Sequence, residues 1–304
     1  MPLSRTNQAL AIPASKSFDV VANIYGESAL MQLADVRQMT AAVEDIVTAG
    51  AFTFGNGTNI FNVAEAAAKP ETTGTLSSYQ LVAQKMATFV IVSEELLAET
   101  PLDIISFYQD VIEQRFALAI DQYGLGSVTG SGPFGSENLG AAATAAGAGH
   151  TVVLTGTIAA PTNVHTAVAS GLGAVEGKDY APNGILLGRR LKGVLRTTTT
   201  TGTPVVQATV QEDVEPNMYG EAVYFLGRGA FPTAGVSTLT GIIGDFSQFV
   251  IGIRDQLGFS LHNEGTVAGI NLLETNQVAL RAEMRLGAKV LDSNAFARIN
   301  NAAS

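Results

Sequence analysis

The sequence predicts an α+β protein, and three features carry that prediction: a long helical face between Ser93 and Gly124, a β-rich run upstream of it, and two alternating stretches near the C-terminus. From Leu102 onward, apolar residues fall at Leu102, Ile105, Tyr108, Ile112, Phe116, Ala119, Ile120 and Tyr123, the three-and-four spacing of one helix face. Asp103, Gln109, Asp110, Glu113, Gln114 and Asp121 take the opposite, polar face. Thr100 reads as the N-cap, Pro101 as the first helical residue and Gly124 as the stop. Such a helix is a rod about 35 Å long, a scaffold element more than a pocket wall.

In the β-rich run, β-branched and aromatic residues flank a polar middle, Lys69 to Ser78, that holds Pro70 and Gly74. This predicts a long hairpin whose outgoing limb includes Asn59 to Glu65 and whose return limb is Tyr79 to Val92. The hairpin either projects onto a neighbouring subunit or lies on its own surface. Near the C-terminus, Asp245 to Ile253 sets Phe249, Ile251 and Ile253 against Gln248 and Arg254. Val278, Leu280, Ala282, Met284 and Leu286 likewise alternate with Gln277, Arg281, Glu283 and Arg285. Period two with one apolar face predicts two strands of a sheet under the long helix, in a domain built from 93–130 and 235–304.

The remaining elements follow in chain order. Residues 1–26 lack sustained periodicity and read as an extended arm that orders only against something else, or as a frayed terminus. From Glu27, the positions Leu30, Leu33, Val36, Met39, Val43, Ile46 and Val47 predict an amphipathic helix ending before Gly50. Residues 125–150, rich in Gly, Ala and Ser, predict loop with short strands. A helix over Pro161 to Leu172 and a buried strand running into a basic helix over Gly184 to Leu195 come next. An exposed threonine-rich loop, Thr197 to Thr203, precedes short strands or turns at Pro204 to Val210, Ala222 to Leu226 and Gly235 to Ile243. Residues 130–234 thus form a second α/β domain inserted after the long helix.

Composition sets the outer limits. A chain of 304 residues with 46% apolar content holds one large or two ordinary domains. The absence of cysteine excludes a disulfide framework and cysteine-ligated metal or thiol chemistry. No run reaches the roughly 18 apolar residues of a membrane helix, and MPLSRTNQALAIPAS has no apolar core of signal-peptide length, so a cytosolic origin and no membrane partner are expected. A net charge of −10 argues against a nucleic-acid binder, because phosphate affinity comes mainly from Lys and Arg. A charged fraction of 14% fits either a surface covered by partners or a well-filled single-chain core.

Few motifs carry chemistry. Gly130 to Gly135 has the spacing G-x-G-x-x-G, yet it follows a helix and contains Pro133, whereas a dinucleotide site needs strand, glycine turn, then helix. His150, His165 and His262 are scattered, with no metal-binding pair. No G-x-S-x-G elbow is present. Glu94 with Glu95, and Glu212 with Asp213 and Glu215, are candidates for acid–base work, although a helix N-terminus explains the first pair. Arg189, Arg190, Lys192 and Arg196 suit a phosphate, a solvated face or an ion-pair strip between subunits. The sequence therefore assigns no catalytic residue, cofactor or metal, and points away from an enzyme.

A resemblance emerges from longer segments. The run from Ala64 to Leu125 carries Glu65, then Lys69-Pro70-Glu71, a hydrophobic return Val90 to Val92, and the entry Ser93 to Leu97 into the long helix. YAPNGILLGRRLKGVL, TTTGTPVV and NQVALRAEMRLGAKVLDSNAFARI follow in order. Together they resemble the major capsid proteins of tailed bacteriophages with the Hong Kong 97-type fold. That resemblance implies an N-terminal arm (1–48), an extended loop (49–92), a peripheral domain with a spine helix (93–130), an axial domain (131–234), and a second peripheral part with the C-terminal strand (235–304). It implies self-assembly as pentamers and hexamers into an icosahedral head around double-stranded DNA, without sequence-specific contact. Implied partners are a separate scaffolding protein, a portal and decoration proteins, with assembly in the host bacterial cytoplasm and residence in the virion. Many relatives begin with a long charged scaffolding segment that this sequence lacks ahead of Met1. Lys69 resembles the donor of the family's intersubunit crosslink, without an identified Glu or Asn partner. The rivals are a shell of the same fold around a protein cargo, the encapsulin type, and a soluble enzyme.

Overall fold

A computed structural model of the chain describes residues 28–53, 63–68, 73–99, 104–127, 132–155, 163–197, 199–200, 203–204, 217–227, 229–231 and 238–301. The expected arm, 1–26, lies outside them, as do Thr100, Pro101 and Asp103 at the expected helix start. Ser28 caps α1 (Ala29–Leu33) by accepting from the Met31 N–H at 3.2 Å. The chain then extends as β1 (Asp35–Gln38) and β2 (Val43–Thr53). These replace the single helix expected over Glu27 to Val47. Val36, Val43, Ile46 and Val47 are β-branched and stiff at χ1, which favours strands once tertiary packing is available.

β2 pairs antiparallel with β3 (Thr73–Val82), so the described outgoing limb is β2. Of the expected limb Asn59 to Glu65, residues 63–65 form no strand and the rest lies outside the described residues. Of the expected polar tip, 73–78 belong to β3 and 69–72 fall outside. The return limb is two strands, because after Ala83 the chain leaves β2 and continues as β4 (Gln84–Ser93) in a different sheet. The Ala83 N–H donates to Ala42 O at 2.8 Å at that handover.

Next come α2 (Glu94–Glu99), the 22-residue α3 (Ile104–Leu125) and α4 (Leu139–Ala145). α4 corrects the loop expected over 125–150: Asn138 accepts from the Ala141 N–H at 2.8 Å and starts an alanine-rich turn of helix. β5 (Thr151–Val153), α5 (Val164–Glu176), β6 (Gly184–Gly188) and α6 (Leu191–Thr197) follow. β7 (Thr199–Thr200) and β8 (Thr203–Pro204) form a short ribbon where a loop was expected. Then come β9 (Asn217–Met218), β10 (Glu221–Leu226), β11 (Leu239–Gly244), β12 (Phe249–His262), β13 (Thr266–Val267), β14 (Ile270–Asn271), β15 (Gln277–Val290) and β16 (Phe296–Asn300).

Two sheets organise these strands, one in the order β1-β12-β15-β4 and one in the order β5-β16-β11-β6-β10-β9. In the first, Leu280, Ala282 and Met284 of β15 stand beside Val90, Thr88 and Met86 of β4. Their buried face shares one core with Ile112, Phe116 and Ile120 of α3, as the alternating and helical patterns require. The second sheet separates two cores, because Leu186 and Ile242 point into that same core while Ile185, Leu187 and Ile243 join α5 and α6. β11 and β16 pair with each other here, so the C-terminal strand is hydrogen-bonded in the inserted sheet and not in the sheet under α3. Short, fully buried apolar runs such as LTGIIG do not reveal which sheet they complete.

Asp121, expected on the polar face of α3, is 6% exposed. Its Oδ1 accepts from Ser28 Oγ at 2.7 Å and from the Leu30 N–H at 3.2 Å, so the carboxylate holds the N-terminus of α1 against α3. Burial raises its pKa, opposed by the Ser28 hydroxyl and the Leu30 and Ala29 backbone. The folded chain holds this proton at higher pH than the unfolded chain, so the contribution to stability is complete below the ordinary carboxylate range and declines as pH rises through the raised value. Chemical denaturation across that window should show the decline in wild type and not in Asp121→Asn. Asp121→Ala should cost about 1–3 kcal/mol by leaving buried donors unsatisfied. A Cβ at Gly287 would lie 2.2 Å from Val82 O at the β3–β4 handover. Gly287→Ala should therefore cost about 1–3 kcal/mol in the same assay.

Candidate functional site

The surfaces that this fold leaves incomplete are its candidate functional site. The β2–β3 hairpin is the first. Successive residues of a strand face opposite sides, so Ile46 and Leu81 turn inward to pack with Met39 and Val250. Val43 and its cross-strand partner Val82 turn outward with Val47, and they are 47%, 44% and 63% exposed. The outward side thus carries three valines in solvent, with Asp45 and its cross-strand partner Gln80 between them. Helical spacing concealed this row, although its period-two component was present in the sequence.

The second is a groove of about 920 Å³ between α3 and β4, lined by Phe89, Val90, Tyr108, Ile112 and Phe116 together with Ala268 and Ile270. Its lining is mostly apolar, and among the described residues β4 is an edge strand of its sheet. Across the sheet from α3 runs an ion-pair ladder: Lys85 Nζ and Arg281 Nε lie 2.7 and 3.3 Å from Glu283 Oε1, and Arg285 Nε lies 3.5 Å from Asp255 Oδ2.

Among the described residues, those weighed for chemistry do not converge. His150 is buried, its Nδ1 2.8 Å from Phe296 O; His262 pairs with Ser260 Oγ at 3.1 Å on the surface; His165 sits on α5. Among the described residues no group of three His, Cys, Asp or Glu side chains could hold a metal ion. The glycine motif, from Gly132 onward, is a turn closed by Gly135 N–H to Gly132 O at 3.0 Å. It buries Phe134 edge-on to Phe249, with ring centroids 6.3 Å apart. Glu94 and Glu95 are exposed in the first turn of α2, and Glu212, Asp213, Glu215 and Lys69 lie outside the described residues. Among the described residues, the basic side chains of this stretch form no single strip. Arg190 turns inward to Thr240 Oγ1 and Asn301 Oδ1, Lys192 Nζ lies 5.3 Å from the Phe225 ring centroid, and Arg189 is exposed. Burial lowers the Arg190 pKa. The Arg196 side chain lies outside the described residues.

Comparison with known proteins identifies the architecture. Solved structures of the same architecture include a chain of Microbacterium phage Oxtober96, at 24% identity and a TM-score of 0.75, covering 98% of this chain and 99% of that one. A chain of Mycobacterium phage Bobi matches at 20% identity and a TM-score of 0.74, with all of both chains covered. A chain from the capsid of a native GTA particle, computed with C5 symmetry, matches at 18% identity and a TM-score of 0.64, covering 98% of this chain and 97% of that one. No curated protein sequence matches. The family model described as the Phage capsid family matches residues 9–301. The chain belongs to that family and is a capsid shell protein with the Hong Kong 97-type fold.

Proposed function

We propose that the chain is the major capsid protein of a tailed phage, assembling as pentamers and hexamers into an icosahedral head that encloses double-stranded DNA. In this reading it is a structural protein and not an enzyme. The β2–β3 hairpin serves as the extended loop, the sheet under α3 as the peripheral domain, and the six-stranded sheet with α5 and α6 as the axial domain. A separate scaffolding protein, a portal and decoration proteins complete the head, which forms in the host cytoplasm and becomes the virion.

The observation that carries the proposal is the outward row of Val43, Val47 and Val82, apolar area that one subunit leaves in water. Seating it on a neighbour is worth about 25 cal/mol per Å², a modest gain at one contact that repeats at every contact of a closed shell. A net charge of −10 fits a wall that surrounds DNA without gripping it. A relative of like fold comes from a capsid computed with C5 symmetry, which is in keeping with fivefold closure.

Electron microscopy of the purified protein should show closed shells, and particles from infected cells should contain nuclease-protected DNA. A protein cargo without DNA would instead favour an encapsulin-type shell, and a small monodisperse oligomer in light scattering would oppose both. Val47→Glu should abolish shell formation while changing subunit stability by less than about 0.5 kcal/mol, as expected for an exposed site. Shells formed as readily by this variant would remove the hairpin face from the assembly contacts.

A further inference from the structure

The hairpin meets the body through a narrow joint. β2 and β3 form a two-stranded sheet of their own, so among the described residues no strand pairing ties them to either large sheet. Their root rests on two glycines that stand side by side, Gly252 of β12 and Gly287 of β15. A Cβ at Gly252 would collide with Leu81 and Met39, and one at Gly287 with the carbonyl of Val82. Leu286 and Ala288, on either side of Gly287, point into the core shared with α3, so the glycine pair opens on the other face of the sheet. It is a notch without side chains, and Leu81 to Ala83 lie in it.

The small apolar cluster of Ile46 and Leu81 with Met39 and Val250 fixes where the ribbon is attached. Its tilt is decided two residues further out, at Tyr79, which is the cross-strand partner of Ile46 and shares the inward face. Lys289 lies on the same face of β15 as Gly287, two residues along. Its Nζ stands 2.6 Å from Glu137 Oε1 and 6.0 Å from the centroid of the Tyr79 ring. Glu137 is a fixed point of the body, because its N–H donates to Phe134 O at 2.9 Å, Phe134 is buried, and the next residue, Asn138, caps α4.

The two sides of Lys289 are unequal. The Lys289 and Glu137 side chains are 23% and 34% exposed, and partial withdrawal from water strengthens a charge-assisted hydrogen bond of that length. The ring contact stands at the outer reach of a cation–π interaction, about 6 Å. We propose that Lys289 is a positioning latch: anchored on Glu137, its ammonium draws Tyr79 to the body and sets the angle at which the hairpin, seated on the Gly252–Gly287 notch, presents Val43, Val47 and Val82. The hairpin yields at the ring while the ion pair stays closed. A shell of pentamers and hexamers asks one ribbon to reach neighbours at two angles, and a latch with one weak side permits both. That use rests on the shell reading above, whereas the latch is a property of the single subunit.

The chain has no cysteine, so a pair of introduced cysteines carries spin labels cleanly. Labels at Ser78→Cys on the hairpin and Glu113→Cys on α3, both exposed positions, report the hairpin angle as a distance distribution by pulsed electron paramagnetic resonance. In dissociated subunits the parent chain should give a narrow distribution. Lys289→Met, which keeps the aliphatic stem and removes the charge, should widen it several-fold, as should Tyr79→Leu, which removes the ring. Lys289→Arg restores a cation over the ring and should return the distribution to the parent width. Amide exchange of α3 should be the same in all four chains. An unchanged distribution in Lys289→Met, an equally wide one in Lys289→Arg, or widening accompanied by faster exchange of α3 would each overturn the latch. Because the measurement is made on subunits, it succeeds or fails independently of whether the chain closes into shells.

Discussion

Packing of α3 across β15 and β4 is the interaction on which the other elements depend. Ile112, Phe116 and Ile120 meet Leu280, Ala282 and Met284 in one core, and each of the larger side chains contributes about 1.5–3 kcal/mol when fully buried. β4 lies just before the helix in sequence whereas β12 and β15 lie far beyond it, and the six-stranded sheet is built from the chain between α3 and β12 together with β16. Leu186 and Ile242 of that second sheet reach the same core, so the two sheets are joined through side chains that alternate between α3 and the α5–α6 layer. Asp121 fixes the third connection, tying α1 to the far side of α3.

What departs from this core explains the protein's need for copies of itself. Ala83 is the join between the hairpin and the sheet, and the bare backbone of Gly287 allows Val82 to approach closely there. Beyond that point a two-stranded ribbon is anchored on one face by Ile46 and Leu81 and exposes valines on the other. Two strands alone are marginally stable in water, so a ribbon of this length gains from a partner surface. The groove beside β4 is the matching incompleteness on the body, a sheet that ends in an exposed edge.

Legibility followed the length of the pattern. α3, β12 and β15 were readable because long periodicities leave little ambiguity between helix and strand. Val36, Val43, Ile46 and Val47 were misread because three-and-four spacing also arises when two short strands follow each other, and only their β-branching indicated the outcome. α4 was hidden in a Gly, Ala and Ser background in which Asn138 was the remaining signal. Asp121 looked like a surface residue because its partner, Ser28, lies 93 positions away. Sheet membership of β11 and β16 is a tertiary fact, absent from local spacing. The resemblance to phage capsid proteins rested on extended segments in a consistent order, and the family match over residues 9–301 agrees with it.

The central claim is that the hairpin acquires its full burial only in the assembled state. Hydrogen–deuterium exchange of β2 and β3, compared between dissociated subunits and closed particles, measures this directly. The account predicts strong slowing on assembly across Val43–Thr53 and Thr73–Val82, with little change in the amides of α3, which are already protected in the subunit. Equal exchange of the hairpin in both states would contradict it.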